Sequence, residues 1–366
     1  GMRGVHDSGM EGVSSKEEAV AVLNDVINDQ RFLIKKYINK EVSAVPQAFT
    51  VYKEVLDLYK NGLEIPDDIT LVWTDDNYGY IRSLSNAEER KRTGGGGVYY
   101  HASYWGRPHD YLWLSTTHPS LIREEMMKAY NLNNKEIWIL NVGDIKPAEY
   151  NTQLFLDMAY NAEKFRDPSY VEEHQQEFYA TIFGADLAKS IGEVQNRYYK
   201  LAFERKPEFM GWSQTEPTTS IHQTAYKTLS YGDEVQQRIN AYGDIEEKVD
   251  LIEEKLPENL KNTYFQLVKY PVKASAAINK KFLYRDKSLT YAKQFRKSAH
   301  KYKDLSYNSY KDIVELTKTY NQISNGKWNG IMDMKPRRLP VFNKPEIDLS
   351  DVYYKQLVGI VVEDTL

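Results

Sequence analysis

The chain has 366 residues, 41% of them apolar, which is enough for two or three domains with real cores at about 100–200 residues each. Its net charge of −4 gives no electrostatic case for nucleic-acid binding, and no stretch approaches the ~18 consecutive apolar residues of a membrane span. With no cysteine, the chain can hold no disulfide, thiolate nucleophile or cysteine-based zinc site.

Twenty-nine Tyr and six Trp suit a carbohydrate-handling protein and equally suit a tyrosine-rich helical core. Gly1-Met2-Arg3-Gly4-Val5-His6-Asp7 reads as the end of a strand entering a loop, so the chain is expected to start inside a domain. An export signal would then lie upstream, and a periplasmic or secreted location is expected of the parent protein.

A long amphipathic helix follows. Ser14 or Ser15 is its expected N-cap and Glu17 and Glu18 lie in its first turn, while Val20, Leu23, Ile27, Ile34 and Ile38 lie on or near one face. Ala48-Phe49 is a short apolar segment leading into Tyr52-Lys53-Glu54, and the helix beyond it stops at Asn61-Gly62. Ile69–Thr74 is a buried strand ending in Asp75-Asp76-Asn77. A charged helix is expected around Ala87–Arg92, then a flexible approach loop at Gly94–Gly97, then a strand Val98–His101. Leu121–Tyr130 reads as a helix and Ile137–Asn141 as a strand ending at Asp144.

Strand ends therefore fall near residues 7, 49, 75, 101 and 141, roughly 26 to 42 residues apart, the pitch of a strand-plus-helix unit in a parallel sheet. Asp7, Glu54, Asp75, His101 and Asp144 sit just after successive strands, as in an α/β barrel whose site is built from many strand ends. Five units suggest the C-terminal part of a TIM (β/α)8 barrel at 1–168, with about three units upstream to reach the ~250 residues of a whole one. From 169 to 335 strand signals vanish. Tyr170–Phe183, Asp186–Ala202, Gln223–Leu256 and Leu260–Gln322 are expected helices of an all-α bundle domain. Residues 336–366 read as a proline-punctuated linker and the start of a β domain at Val352–Val362.

Breaking a glycosidic bond needs one protonated acid on the leaving oxygen, and inversion needs a second carboxylate to activate water. Asp7, Glu54 and Asp75 are candidates, with Asn77 and His101 nearby; each acid alone could be no more than a helix cap or first-turn residue. Lys53 lies beside Glu54 and would favour its ionised form. Val98–Trp113 is dense in Tyr, Trp, His and Arg. Tyr104, Trp105, Arg107 and His109 offer stacking faces and hydrogen-bond donors, whereas Tyr99 and Trp113 read as core. His6, Asp7, His101 and His109 match no compact metal-ligand spacing, and Gly94–Gly97 lacks the Lys-Ser/Thr of a phosphate loop.

Gly1–Asp7, Tyr52-Lys53-Glu54, Trp73–Gly79, Tyr99–Leu114, Asn141–Tyr150, Arg205–Phe209 and Met332–Phe342 together resemble the signature blocks of glycoside hydrolase family 115. The resemblance implies an inverting xylan α-1,2-glucuronidase, releasing glucuronic acid or its 4-O-methyl ether from xylose in glucuronoxylan. It implies an N-terminal domain, a barrel, a helical domain and a C-terminal β domain, commonly as a homodimer, with no cofactor or metal. By motif, Glu54 is the catalytic acid, Asp7 and Asp75 are candidates for the base or for shaping the site, and Asn77 stands beside them. Arg3, His101 and Tyr104 would contact the uronic acid, with His6, Lys53, Trp105 and Arg107 completing the candidate substrate-binding set. The contrasting expectation is a non-catalytic glycan-binding or scaffolding fragment, which would keep the aromatic and arginine contacts without placed acids.

Overall fold

The computed structural model describes residues 9–335 and 337–350. Arg3, His6 and Asp7, and the strand expected at 352–362, lie outside the described residues. The chain forms two compact units, neither continuous in sequence. The first takes residues up to Ala102, Ser120–Asn141 and Phe155–Pro168; the second takes Ser103–Pro119, Val142–Leu154 and the chain from Ser169.

The first unit is built on four parallel strands in the order β1 (Ala48–Val51), β2 (Thr70–Thr74), β3 (Gly96–His101), β4 (Trp138–Asn141). Leu71, Val72 and Trp73 are all buried, the continuous apolar run of a strand covered on both faces. Helix α1 (Lys16–Tyr37) starts where Ser15 Oγ accepts from Glu18 N at 3.2 Å while the Glu18 carboxylate accepts from Ser14 N at 2.7 Å. Its Ala19, Leu23 and Ile27 pack with Phe49, Val51, Leu71 and Trp73. The expected apolar face does not run to Ile38. That residue is the exposed C-cap, because the helix continues past the last side chains that meet the core.

Helix α2 (Glu54–Lys60) closes at Asn61 and Gly62, with Gly62 at φ 103°. The charged helix expected around Ala87–Arg92 is a single 3-10 turn at Glu89–Lys91. Arg92 ends it with a non-helical backbone at ψ 141°, and its guanidinium bonds the carbonyls of Ile65, Pro66 and Ile69 ahead of β2. The four glycines are not a flexible loop. Gly96 and Gly97 open β3, and a Cβ would stand 2.2 Å from Asn134 Oδ1 at Gly96 and 2.4 Å from Ile137 O at Gly97. Glycine is there because the neighbouring chain comes too close for any side chain. Helix α3 (Pro119–Asn131) and the end of α4 (Glu149–Tyr160) complete this unit, with Phe155 stacked on Tyr100 at 6.2 Å between ring centres.

The second unit contains α5 (Tyr170–Phe183), α6 (Ala185–Glu204), α7 (Glu234–Glu253), α8 (Glu258–Tyr264), α9 (Tyr270–Lys293) and α10 (Ser298–Gln322). The helix expected over Gln223–Leu256 starts only at Glu234, capped by Asp233. Ahead of it the chain is tied to α9 by Asp286 Oδ2, which accepts from Thr224 N at 2.8 Å and Oγ1 at 2.6 Å. The single helix expected over Leu260–Gln322 is three. A π turn at Phe265–Lys269 separates α8 from α9; it lies just before Pro271, whose ring would clash with the Leu267 carbonyl in a regular helix. A reversal at 294–297, with Phe295 at φ 58°, separates α9 from α10. The two run antiparallel: Tyr270 bonds Thr317, Lys281 O accepts from Ser306, and Ser288 donates to Ala299 O.

Candidate active site

Because the four strands are parallel, their carboxyl ends share one edge of the sheet, and the residues that follow them meet there. Val51 is level with Trp73, Thr74 with Tyr99, and His101 with Asn141. The site therefore draws on Tyr52–Glu54, Asp75–Asn77 and the end of β3, all within the first unit. A cleft of about 200 Å³ opens at this edge, lined among others by Tyr52, Lys53, Asp75, Asp76, Asn77 and Arg82. It has room for several waters.

Glu54 is the first residue of α2 and is half-buried, with Oε1 fully shielded from solvent. It is adjacent in sequence to the cleft wall but does not line the cleft. Lys53, exposed before it, has φ 49° and ψ −122° and makes a tight turn closed by Val55 N donating to Tyr52 O at 3.0 Å. Its Nζ lies 4.9 Å from the Tyr52 ring centre.

After β2 the chain doubles back, with a bridge between Asp75 and Ile81. Asp75 is buried. One carboxylate oxygen accepts from Gly79 N at 3.0 Å and His101 N at 3.4 Å, and the other meets His101 Nδ1 in a short hydrogen bond. Asp76 accepts from Tyr78 N and Tyr80 N with one oxygen and from the Arg82 guanidinium with the other. Asn77, left-handed at φ 71°, accepts from Tyr52 Oη at 2.9 Å, tying the end of β1 to the turn after β2. The pleat of β3 sends Tyr99 and His101 to one face and Tyr100 to the other. Tyr99 thus belongs with the site: its ring meets the His101 ring edge-on at 5.3 Å, and its hydroxyl accepts from Asn141 Nδ2 at 2.8 Å. Period-two alternation counted back from His101 would have found it, whereas tyrosine in an apolar strand reads as core.

The remaining candidates lie in the second unit. Tyr104 is buried, pairs with Tyr111 through two main-chain hydrogen bonds, and donates its hydroxyl to Arg107 O at 3.1 Å. Trp105 is 67% exposed with the Arg337 guanidinium 5.1 Å from its ring centre. Arg107 is exposed and donates Nε to Glu216 at 2.8 Å; Arg337 bridges Glu216 and Asp110. His109 packs on Phe209 at 3.8 Å, and burial pushes its imidazole down to about 4, the behaviour of a neutral core histidine. Asp144 is exposed, past the end of β4. Among the described residues there is no cluster of three or more His, Asp or Glu side chains that could hold a metal ion, and no helix is long and apolar enough to cross a membrane.

The comparisons bear on what this edge is for. No match was found among curated proteins. Among solved structures the chain is similar, at TM-score 0.86 and 48% identity over 94% of its length, to one described as a family GH115 4-O-methyl-α-glucuronidase, BtGH115A, with specificity for decorated arabinogalactans. The chain spans 44% of that protein's length. The model of Glycosyl hydrolase family 115 matches residues 1–209, which carry the whole carboxyl edge of the sheet and the Arg205–Phe209 block. With more than half of its residues inside that match, this chain belongs to glycosyl hydrolase family 115.

Proposed function

We propose that the chain forms part of the catalytic apparatus of an α-glucuronidase, its sheet being part of a (β/α)8 barrel. The observation that carries this reading is the convergence of Glu54, Asp75, Asn77 and His101 at one edge of a parallel sheet, beside a cleft that also presents the cation of Lys53. The reaction is hydrolysis of an α-1,2 linkage with inversion. Glu54 protonates the leaving oxygen while a second carboxylate, Asp7 or Asp75, serves the water or shapes the site. Lys53 and His101 face the uronic acid. On the second unit, the exposed indole of Trp105 and guanidinium of Arg107 offer a stacking face and donors to a glycan.

The substrate is glucuronoxylan bearing glucuronic acid or its 4-O-methyl ether, with the whole protein exported to the periplasm or secreted and acting as a homodimer. The described specificity of the 48%-identical structure favours a second acceptor, an arabinogalactan decorated with the same acids. Product analysis on both polymers separates the two. Uronic acid released from neither polymer would return the chain to a glycan-binding or scaffolding role. Glu54→Gln in the whole protein is expected to lower turnover by at least the 10²–10⁴-fold typical of a lost general acid, and activity within a few-fold of wild type removes Glu54 from the mechanism.

A further inference from the structure

Asp75 stands where a water-activating base is expected, yet its surroundings suit a different task. Its side chain has 0% exposure. A carboxylate offers about four acceptor positions on two oxygens. Here one oxygen is held by the N–H groups of Gly79 and His101, and the other by His101 Nδ1. A base for inversion must carry a water on the open face of the sugar. A carboxylate with no accessible surface and protein donors on both oxygens has no place for that water.

The same contacts fix the histidine. The two main-chain donors hold one oxygen and so turn the other to the imidazole, where an ionised carboxylate can only accept and the shared proton belongs to Nδ1. The ring plane is set by Tyr99 edge-on at 5.3 Å and by Tyr52 at 6.5 Å.

We propose that Asp75 is a positioning residue, not the base: it holds His101 in one orientation at the end of β3 with the proton on Nδ1. This rests on the glycosidase reading for its place in the reaction, but the proton assignment does not.

The test is therefore spectroscopic first. Long-range ¹H–¹⁵N correlation on the intact chain, near neutral pH, is expected to show His101 Nδ1 protonated; an unprotonated Nδ1 overturns the proposal and needs no variant to fold. In Asp75→Asn the amide oxygen must serve the two main-chain N–H groups, so its NH₂ faces Nδ1 and drives the proton to Nε2. The spectrum should switch accordingly. In the whole protein kcat should fall by up to about 10⁴-fold, the scale of a wrong histidine tautomer, with KM within a few-fold. For Asp75→Ala, added azide should restore no turnover; rescue with formation of a glycosyl azide would make Asp75 the base and end the proposal. A wild-type protein that hydrolyses no glucuronoside would refute the glycosidase reading and leave the tautomer result standing.

Discussion

Lys53 occupies a backbone position that glycine fills without strain. At φ 49° and ψ −122° it is the second residue of a turn whose mirror-type geometry excludes most side chains. Holding a non-glycine residue there costs about 1–3 kcal/mol, and such strain persists where surrounding structure over-determines it, commonly at functional sites. The turn leads directly into Glu54, and the lysine lines the cleft. Lys53→Gly should relieve the strain at a smaller entropic cost of roughly 0.5–1 kcal/mol, so the variant is expected to be more stable by about 1 kcal/mol. If the ammonium meets a uronate, the same variant should bind acidic sugars more weakly. Thermal unfolding and uronic acid titration read the two effects separately; a less stable variant would mean the turn is not strained. No sequence pattern announces this position, since Tyr-Lys-Glu carries no turn signal.

At the level of elements, legibility followed the strength of local signals. Strands β2 and β3 were readable because apolar runs with abrupt polar ends have few alternatives, and the cap at Ser15 and stop at Gly62 are encoded by residue type. The expected clustering of Glu54, Asp75 and His101 needed only the parallel register, which strand–helix alternation predicts. What escaped reading depends on distant partners. The break between α9 and α10 rests on Phe295 at φ 58°, with neither Gly nor Pro to mark it. The segment before Glu234 is periodic enough for a helix but is captured by Asp286, 62 residues away from Thr224. Gly94–Gly97 looked flexible because glycine is ambiguous in sequence. Its meaning comes from Asn134, whose Oδ1 accepts from Ser85 while a Cβ on Gly96 would lie 2.2 Å from it. Gly96→Ala is therefore expected to destabilise by about 1–3 kcal/mol, the cost of overpacking a well-filled site, measurable by urea unfolding. An effect under a few tenths of a kcal/mol would show that Asn134 can move aside.

For the molecule as a whole, the Arg205–Phe209 block shows how one buried charge ties stability to pH. Glu208 Oε1 accepts from Trp113 N at 2.6 Å and Leu114 N at 3.0 Å, fixing the second half of the Ser103–Pro119 stretch that the second unit takes from between β3 and α3. Burial pushes its carboxyl up to about 7, against the main-chain donors and the nearby Lys206 ammonium, which pull it down. Lys206 is itself pushed down by burial to about 8, so it stays charged below that pH and donates to Thr116 Oγ1 at 3.0 Å. Between the ordinary value of 4.5 and about 7, the folded chain keeps on Glu208 a proton that the unfolded chain has released. Folding takes up a proton in that window, so stability falls as pH rises through it, by on the order of 3 kcal/mol at about 1.4 kcal/mol per pKa unit. Glu208→Gln keeps the acceptor for Trp113 and Leu114 but cannot ionise. Its stability relative to wild type should therefore grow as pH rises from about 4.5 to about 7 and level off above that. Urea unfolding of both proteins across this range measures the difference directly. Parallel stability curves would mean that Glu208 ionises as readily in the fold as in water, and that its hydrogen bonds to Trp113 and Leu114 offset its burial.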